Sequence, residues 1–340
     1  MSFQITIQPS GHTCTPETDE TVLEAALREG YTLPYGCRNG ACGSCKGKII
    51  SGQVDYGDHQ ESSLTAEDKA NGLALFCCAK PLSDLVIECR EVGASKDIQI
   101  KTMPCRVQTL CKVSNDVAVL SLKLPVSERM QFLAGQYIDI LLKDGKRRSF
   151  SLANAPHDDA VLQLHIRHVA GGQFSEYVFS QMQEKAILRF EGPLGTFFLR
   201  EDSDKPIILL ATGTGFAPLK GIIEHAFHIG IERPITLYWG ARHQADIYMY
   251  DLPLQWAKDH PNFKFVPVLS KPAPEDNWTG RVGHVQDCVL EDSPDVLGTE
   301  VYACGSPAMV EAAHKRLVGA GLPDEAFYSD AFTFARDSKK

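Results

Sequence analysis

The stretch YGCRNGACGSCKGK, Tyr35–Lys48, places Cys37, Cys42 and Cys45 within nine residues and spaces them with glycine. Thiols this close serve a disulfide knot, a zinc ion or a metal cluster that moves electrons. The chain holds 11 cysteines. An odd count fits no fully paired framework, and structural disulfides are rare in a cytosolic chain of this length. A lone C-x-x-C is shared by zinc ribbons and thioredoxin-like sites. Zinc asks for a second close pair, and the candidate, Cys77-Cys78, is adjacent rather than spaced. A thioredoxin-like site leaves the third cysteine, five positions earlier, without a purpose.

The rest of the chain supplies the context. Its 340 residues exceed one comfortable core and predict two or three domains. Composition is that of a soluble protein, 44% hydrophobic and 23% charged, with no apolar run long enough for a membrane span. MSFQITIQPS has no basic-then-apolar leader, so the expected location is cytoplasmic. A net charge of -9 argues against a nucleic-acid partner. The acidity is uneven: residues 1–93 carry 7 Lys+Arg against 13 Asp+Glu. That excess reads either as a solvated surface or as a docking face for a positively charged redox partner. The scattered Cys14, Cys89, Cys105, Cys111 and Cys288 are expected to be mostly buried, inert thiols.

Three rhythms divide the chain. FQITI (3–7) alternates like a half-buried strand, and TVLEAALREG reads as a helix with Thr21 and Glu24 at capping-box spacing and Gly30 as its stop. KGKIISGQVDY reads as a hairpin turning near Ser51-Gly52, and LALFCCAK and DLVIECR are two further apolar pieces. These make a small α+β unit over 1–93, with 94–101 as linker. Over 102–200, CRVQTLCKV, VAVLSLKL, QYIDILL, RRSFSLAN, VLQLHIRHV, AILRFEG and GTFFL read as short strands, interrupted by the helix SEYVFSQMQ. That spacing predicts an antiparallel β-barrel. Over 205–340, PIILLA, ITLYWG, FKFVPVLS and EVYACG alternate with helical patterns, which predicts an α/β domain with a parallel sheet.

The spacing Cys37-x4-Cys42-x2-Cys45 resembles that of plant-type ferredoxins, C-x4-C-x2-C…C, in which four thiolates hold a [2Fe–2S] cluster. Glycines in such a loop let backbone N–H groups approach sulfur. The fourth ligand is Cys77 or Cys78. In plant-type ferredoxins the last cysteine follows an apolar run and precedes a proline by four, and LFCCAKP fits that pattern with Cys77 and Pro81. The resemblance implies a β-grasp ferredoxin domain with Cys37, Cys42, Cys45 and Cys77 as metal ligands.

Arg148-Ser149-Phe150-Ser151, an R-x-[YF]-S pattern, is a common tetrapeptide by itself. With GGQFSEYVF (Gly171, Gly172, Ser175) and EGPLGTF following in order, it resembles the flavin signature of the ferredoxin–NADP reductase superfamily. There the arginine pairs with a cofactor phosphate, the aromatic packs beside the flavin, and the second serine lies near flavin N5. The glycines open a helix whose free N–H groups suit a pyrophosphate. LLATGTGFAPL lacks the full G-x-G-x-x-G fingerprint. It does resemble the superfamily's nicotinamide loop, which places Thr212, Gly213, Thr214, Gly215 and Pro218 at NAD(P)H. Cys304-Gly305-Ser306-Pro307 resembles the C-G-x-P motif, whose cysteine sits beside the nicotinamide; a buried strand residue is the other reading of Cys304. WGARHQADIY supplies Arg242 but no cluster for a 2′-phosphate, so NADH is expected, with NADPH possible. Phe332 is either an aromatic at the flavin face or a plug packing the last strand. His165, His168 and His243 are isolated and receive no catalytic role.

Across its length, through CRNGACGSCKG, AGQYIDI, RRSFSLANAP, EGPLGTFF, TGTGFAP, HVQDCVLED, VYACGSPAM and YSDAF, the chain resembles the iron–sulfur flavoprotein reductases. The resemblance implies an NADH-dependent oxidoreductase using FAD and a [2Fe–2S] cluster, with Ser151 and Cys304 as catalytic residues. It also implies a protein electron acceptor: a pyridoxamine-phosphate-dependent dehydratase of deoxysugar synthesis, or an oxygenase component acting on aromatic, phenolic or hydrocarbon substrates.

Overall fold

The structure, a computed structural model, describes residues 3–93 and 98–333; part of the expected linker, 94–97, lies outside the described residues. Contacts divide the chain into two units, Met1–Gln99 with Gly195–Phe197 and Thr333–Lys340, and Ile100–Leu194 with Phe198–Phe332. The barrel and the parallel sheet read from the sequence thus fall in one unit.

The first unit contains strands β1 (Ile5–Gln8), β2 (His12–Cys14), β3 (Lys46–Ser51), β4 (Val54–Asp55), β5 (Leu73–Leu75), β6 (Lys80–Pro81) and β7 (Leu85–Glu88), with helices α1 (Val22–Arg28) and α2 (Ala66–Ala70). Its main sheet runs β2-β1-β7-β3-β5, with β1 parallel to β7. The alternation in ITIQ buries Ile5 and Ile7. The capping box expected at α1 is present: Glu24 N donates to Thr21 Oγ1 at 3.2 Å and Thr21 N donates to Glu24 Oε2 at 3.0 Å. The next two donors of that helix, Val22 N and Leu23 N, reach Ala79 O and Phe76 O, both at 2.9 Å. The start of α1 therefore holds the segment that carries Cys77.

The expected hairpin over KGKIISGQVDY does not form. The chain does turn at Gly52, but β3 pairs with β5 and β7, while β4 crosses to pair with β6. Of β3 only Gly47 is buried, beneath the Phe76 ring, and Ile50 stays exposed, so the strand is held by its pairing to β7 and β5. Periodicity marks a strand without naming its partner.

In the second unit, β8 (Lys101–Lys112), β9 (Val117–Lys123), β10 (Tyr137–Leu141), β11 (Arg147–Ser151), β12 (Leu162–Arg167) and β13 (Ile187–Leu194) form an antiparallel sheet in the order β11-β10-β13-β8-β9-β12. A bridge between Leu152 and Leu164 joins its two ends into the expected barrel. Phe190, Ile138, Leu164 and Phe174 fill its core, with Phe174 contributed by α3 (Gln173–Ser180). GTFFL is not a strand: β13 ends at Leu194, and Gly195–Phe197 group with the first unit, where Thr196 Oγ1 donates to Tyr35 O at 3.0 Å. Cys111 departs from the buried state expected of it; it lies at the exposed end of the long β8.

The remainder is a parallel sheet, β17-β16-β15-β14-β18-β19, built from β14 (Ile207–Thr212), β15 (Ile235–Ala241), β16 (Phe263–Leu269), β17 (Arg281–Val282), β18 (Glu300–Gly305) and β19 (Phe327–Ala331). Helices α4 (Phe216–His228), α5 (Asp251–Asp259), α6 (Val285–Asp292) and α7 (Pro307–Gly319) alternate with its strands. IILLAT and EVYACG are almost continuously buried, as central strands covered on both faces must be. The C-terminal ends of β14 and β18 meet at the centre of this sheet, where open α/β sheets place ligands.

Candidate functional site

The cysteine loop gathers four thiols into two pairs. Cys37 hydrogen-bonds Cys42, and Cys45 hydrogen-bonds Cys77, which arrives on the turn after β5. Backbone donors surround the sulfurs. Ala41 N and Cys42 N both reach Cys37 Sγ at 3.3 Å, and Cys37 N reaches Cys42 Sγ at 3.3 Å. The hydrogen bond from Cys42 holds the Cys37 thiol down to about 7 against the burial that raises it. The bond from Cys45, followed by that from Cys78, brings Cys77 down to about 3. The donor partners Cys42 and Cys45 are pushed well above the usual thiol range by those same bonds and by burial. The loop is pinned by Ser63 Oγ donating to Ala41 O at 2.6 Å and Gln60 N donating to Gly40 O at 3.0 Å. Gly40 has φ +72°, and a Cβ there would lie 2.8 Å from Asp58 O and from Cys78 Sγ. Only glycine takes that turn at that distance.

Among the described residues no three His, Cys, Asp or Glu side chains converge as a single metal ion requires. A tetrahedral zinc site would draw all four sulfurs around one point, whereas a binuclear iron centre takes one pair per iron. The two thiol pairs with their N–H donors fit the latter.

The flavin motif lies on β11, the edge strand of the barrel sheet. Arg148 is half-buried, with Nη1 on Arg147 O at 2.9 Å. Ser149 Oγ donates to Asp139 Oδ1 on β10 at 2.6 Å, and Phe150 packs its ring 5.2 Å from that of Phe174. Ser151 is buried and its Oγ lies 3.5 Å from Asp330 Oδ2 on β19. Gly172 begins α3 without a side-chain cap, which leaves the first turn suited to an anion. Ser175 Oγ, by contrast, is turned to its own loop, accepting from Val169 N at 3.1 Å and donating to Val169 O at 3.1 Å. Glu176 Oε1 accepts from Gly171 N at 3.2 Å.

At the parallel sheet, Thr212–Gly215 turn directly from β14 into α4, with Pro218 in the helix's first turn. This turn interlocks with the end of β18. A Cβ on Gly215 would strike the carbonyl of Cys304, and one on Gly305 would strike the Thr212 hydroxyl. Ser306 N donates to Thr212 Oγ1 at 3.0 Å. The motifs that the sequence separates by some ninety residues are thus one surface. The Cys304 side chain is fully buried, and burial followed by the Asp330 carboxylate pushes its thiol well up. Phe332 is half-buried just beyond β19, its N–H on Gly305 O at 2.8 Å.

Sequence reading missed three neighbours of these loops. Asp330 faces Ser151 from 179 positions away, so no local pattern could announce it. Arg167 Nη1 lies 2.9 Å from the position a Cβ on Gly213 would take. His165, left without a role, is buried with Nδ1 on Tyr248 Oη at 2.7 Å; burial, then Lys220, lowers its pKa to about 3. His168 and His243 pair with Glu176 and Asp276.

Comparison with known proteins matches three family models: a 2Fe-2S iron-sulfur cluster binding domain over residues 5–82, an oxidoreductase FAD-binding domain over 104–199 and an oxidoreductase NAD-binding domain over 209–315. The chain is 43% identical to the CDP-6-deoxy-L-threo-D-glycero-4-hexulose-3-dehydrase reductase of Yersinia pseudotuberculosis, covering 98% of this chain and 99% of that protein. It is 35% identical to the phenol hydroxylase P5 protein of Acinetobacter pittii, over 99% and 96%. Among solved structures, the Amycolatopsis cytochrome P450 reductase GcoB matches with a TM-score of 0.79 and 35% identity, over 97% of this chain and 98% of that one.

Proposed function

Because this chain belongs to the iron–sulfur flavoprotein reductases, which join a [2Fe–2S] domain to FAD- and NAD-binding domains, we propose that its electrons go to a pyridoxamine-phosphate-dependent dehydratase of a CDP-6-deoxy-glucoseen-type pathway. The chain is an oxidoreductase that carries electrons from NAD(P)H through FAD to a [2Fe–2S] cluster and on to a partner protein. When bound, NADH supplies hydride, FAD converts the two-electron transfer into single-electron transfers, and the cluster carries single electrons.

In this reading 1–93 is the ferredoxin domain, 102–200 the FAD barrel and 205–340 the nicotinamide domain. Cys37 with Cys42 and Cys45 with Cys77 would each hold one iron, their sulfurs stabilised by the surrounding N–H donors. Arg148 would pair with a flavin phosphate, Ser149 and Phe150 would line the flavin, and Ser151 would present its hydroxyl at the reacting edge. Gly171 and Gly172 open the anion-binding turn of α3, while Ser175 braces that turn. Thr212, Gly213, Thr214, Gly215 and Pro218 form the nicotinamide wall with Cys304 and Gly305 behind it, and Phe332 borders the same surface.

NADH is favoured over NADPH by the turn after β15. There Arg242 stands with Asp246 and Asp276, which bond His243 N at 3.1 Å and Gln244 N at 3.2 Å. Carboxylates at that turn suit a ribose diol and repel a 2′-phosphate. A cytoplasmic location is supported by 11 free cysteines. No helix among the described residues is long and apolar enough to cross a membrane.

The observation that carries the acceptor is the 43% identity, sustained end to end, with a dehydrase reductase. The second reading, an oxygenase reductase component, is favoured by the 35% match to a phenol hydroxylase protein. The test is stopped-flow reoxidation of the NADH-reduced protein. A CDP-hexulose dehydratase with its substrate is expected to accelerate loss of the reduced signal at least tenfold over buffer. Acceleration by an oxygenase component alone would replace the first reading with the second.

A further inference from the structure

Cys78 has no task in the four-cysteine reading, yet its place is built. Its Sγ lies 3.6 Å from Cys77 Sγ, within hydrogen-bonding reach for sulfur. The space it occupies is left open by Gly40, where a Cβ would come within 2.8 Å of Cys78 Sγ. On the other side, a Cβ on Gly57 would lie 2.5 Å from Cys78 O. Cys78 N and Ala79 N both donate to Leu75 O, at 2.9 and 2.8 Å, and this fixes the turn that carries both cysteines. The thiol therefore packs against the cysteine loop at Gly40 and faces its neighbour, while its backbone is held close to Gly57.

We propose that Cys78 is a tuning residue: its S–H donates to the Cys77 sulfur and raises the reduction potential of the cluster which that sulfur would hold. The inference rests on the reading of Cys77 as the fourth ligand. Reduction adds negative charge that spreads onto the ligand sulfurs, so a donor aimed at one of them stabilises the reduced state more than the oxidised one. A thiol is a weak donor, and the effect is correspondingly moderate. The consequence for the established electron path is a cluster that draws electrons from the flavin more readily than the other N–H donors alone would allow.

The test is a dye-mediated redox titration of the full-length protein with its cofactors, followed by cluster absorbance and by electron paramagnetic resonance. Cys78→Ala is expected to keep the cluster. Its electron partition against the reference dye should move three- to tenfold toward the oxidised form, roughly 30–60 mV at 59 mV per tenfold for one electron. Cys78→Ser, which restores a hydroxyl donor, should return the partition to within a factor of two of the parent protein. An intact cluster with an unchanged potential in Cys78→Ala would overturn the tuning role, as would equal shifts in Ala and Ser. Loss of the cluster in Cys78→Ala together with its retention in Cys77→Ala would instead overturn the fourth-ligand reading itself.

Discussion

The cysteine loop of the first unit and the paired loops at the ends of β14 and β18 are both glycine-rich, but their glycines perform opposite work. In the first, Gly40 turns the chain so that backbone donors and sulfur share one small space. In the second, Gly215 and Gly305 let two backbones touch where any side chain would force them apart. In the proposed reading one loop makes room for a ligand set, and the other removes atoms so that two distant motifs become one wall. The first should therefore fail chemically, by loss of a ligand, and the second sterically, by separation of the strands' ends.

The largest break comes from Cys42→Ala. It removes one member of the Cys37–Cys42 pair, and the remaining thiol of the loop, Cys45, is already hydrogen-bonded to Cys77. The expected outcome is complete loss of the cluster absorbance between about 400 and 500 nm. NADH-dependent reduction of an artificial two-electron dye should persist within about a factor of two, because the second unit is untouched. If dye reduction vanished while the fold remained intact, the two regions would not be separable in the way their structures indicate.

The converse is Gly215→Ala. Its new Cβ would meet the Cys304 carbonyl and the Gly305 backbone, neither of which has a flexible end to yield. Overpacking against backbone costs about 1–3 kcal/mol of stability, and the displacement of the two strand ends that relieves it predicts a fall of up to roughly hundredfold in the rate of flavin reduction by NADH. Cluster absorbance should remain. A rate within threefold of the parent would show that the two strand ends part without cost, and the contrast with the cysteine loop would lose its basis.

This contrast also governs what the sequence could show. The cysteine loop was legible because three of its thiols fall within nine residues, and one turn's geometry suffices to bring them together. The apolar runs IILLAT and EVYACG were equally plain, since burial on both faces leaves a continuous signature. Pairing was not. KGKIISGQVDY looked like a hairpin because adjacency in sequence is the default partner, whereas β3 found β7 and β5. The fifth and sixth parallel strands, β17 and β19, were too short or too polar to register. Cys304 was singled out by its motif, with a buried strand residue as the other reading, and its complete burial follows from β14 and β19 flanking β18, which no tetrapeptide records. Asp330 and Tyr248 acquire their meaning only from Ser151 and His165, each brought to them across the unit.

His165 supplies the smallest and most selective way to separate the two regions. It sits near the Thr212–Gly215 turn, hydrogen-bonded to Tyr248 and near the ring of Phe216, with its pKa lowered to about 3 by burial and then by Lys220. His157 is lowered too, by burial and then by His228 and His225. Above the unfolded value, near 6.5, both states of His165 are neutral and stability does not change. Between there and about 3 the unfolded chain binds a proton that the native unit refuses, so stability falls as pH falls, by about 1.4 kcal/mol per unit. From pH 6.5 to 4.5 the second unit should lose about 2 kcal/mol through His165 alone. The first unit has depressed carboxylates at Glu20 and Asp68, held down by Arg28 and Lys46. Their stabilisation is present above the unfolded carboxylate range and is lost only as pH falls through still lower folded values. Such exposed pairs also contribute little. Acid should therefore release the flavin before it bleaches the cluster, and His165→Gln should flatten the second unit's dependence between pH 6.5 and 4.5. Simultaneous loss of both signals, or an unchanged slope in His165→Gln, would mean that the buried histidine is not what makes the nicotinamide side the more acid-sensitive of the two.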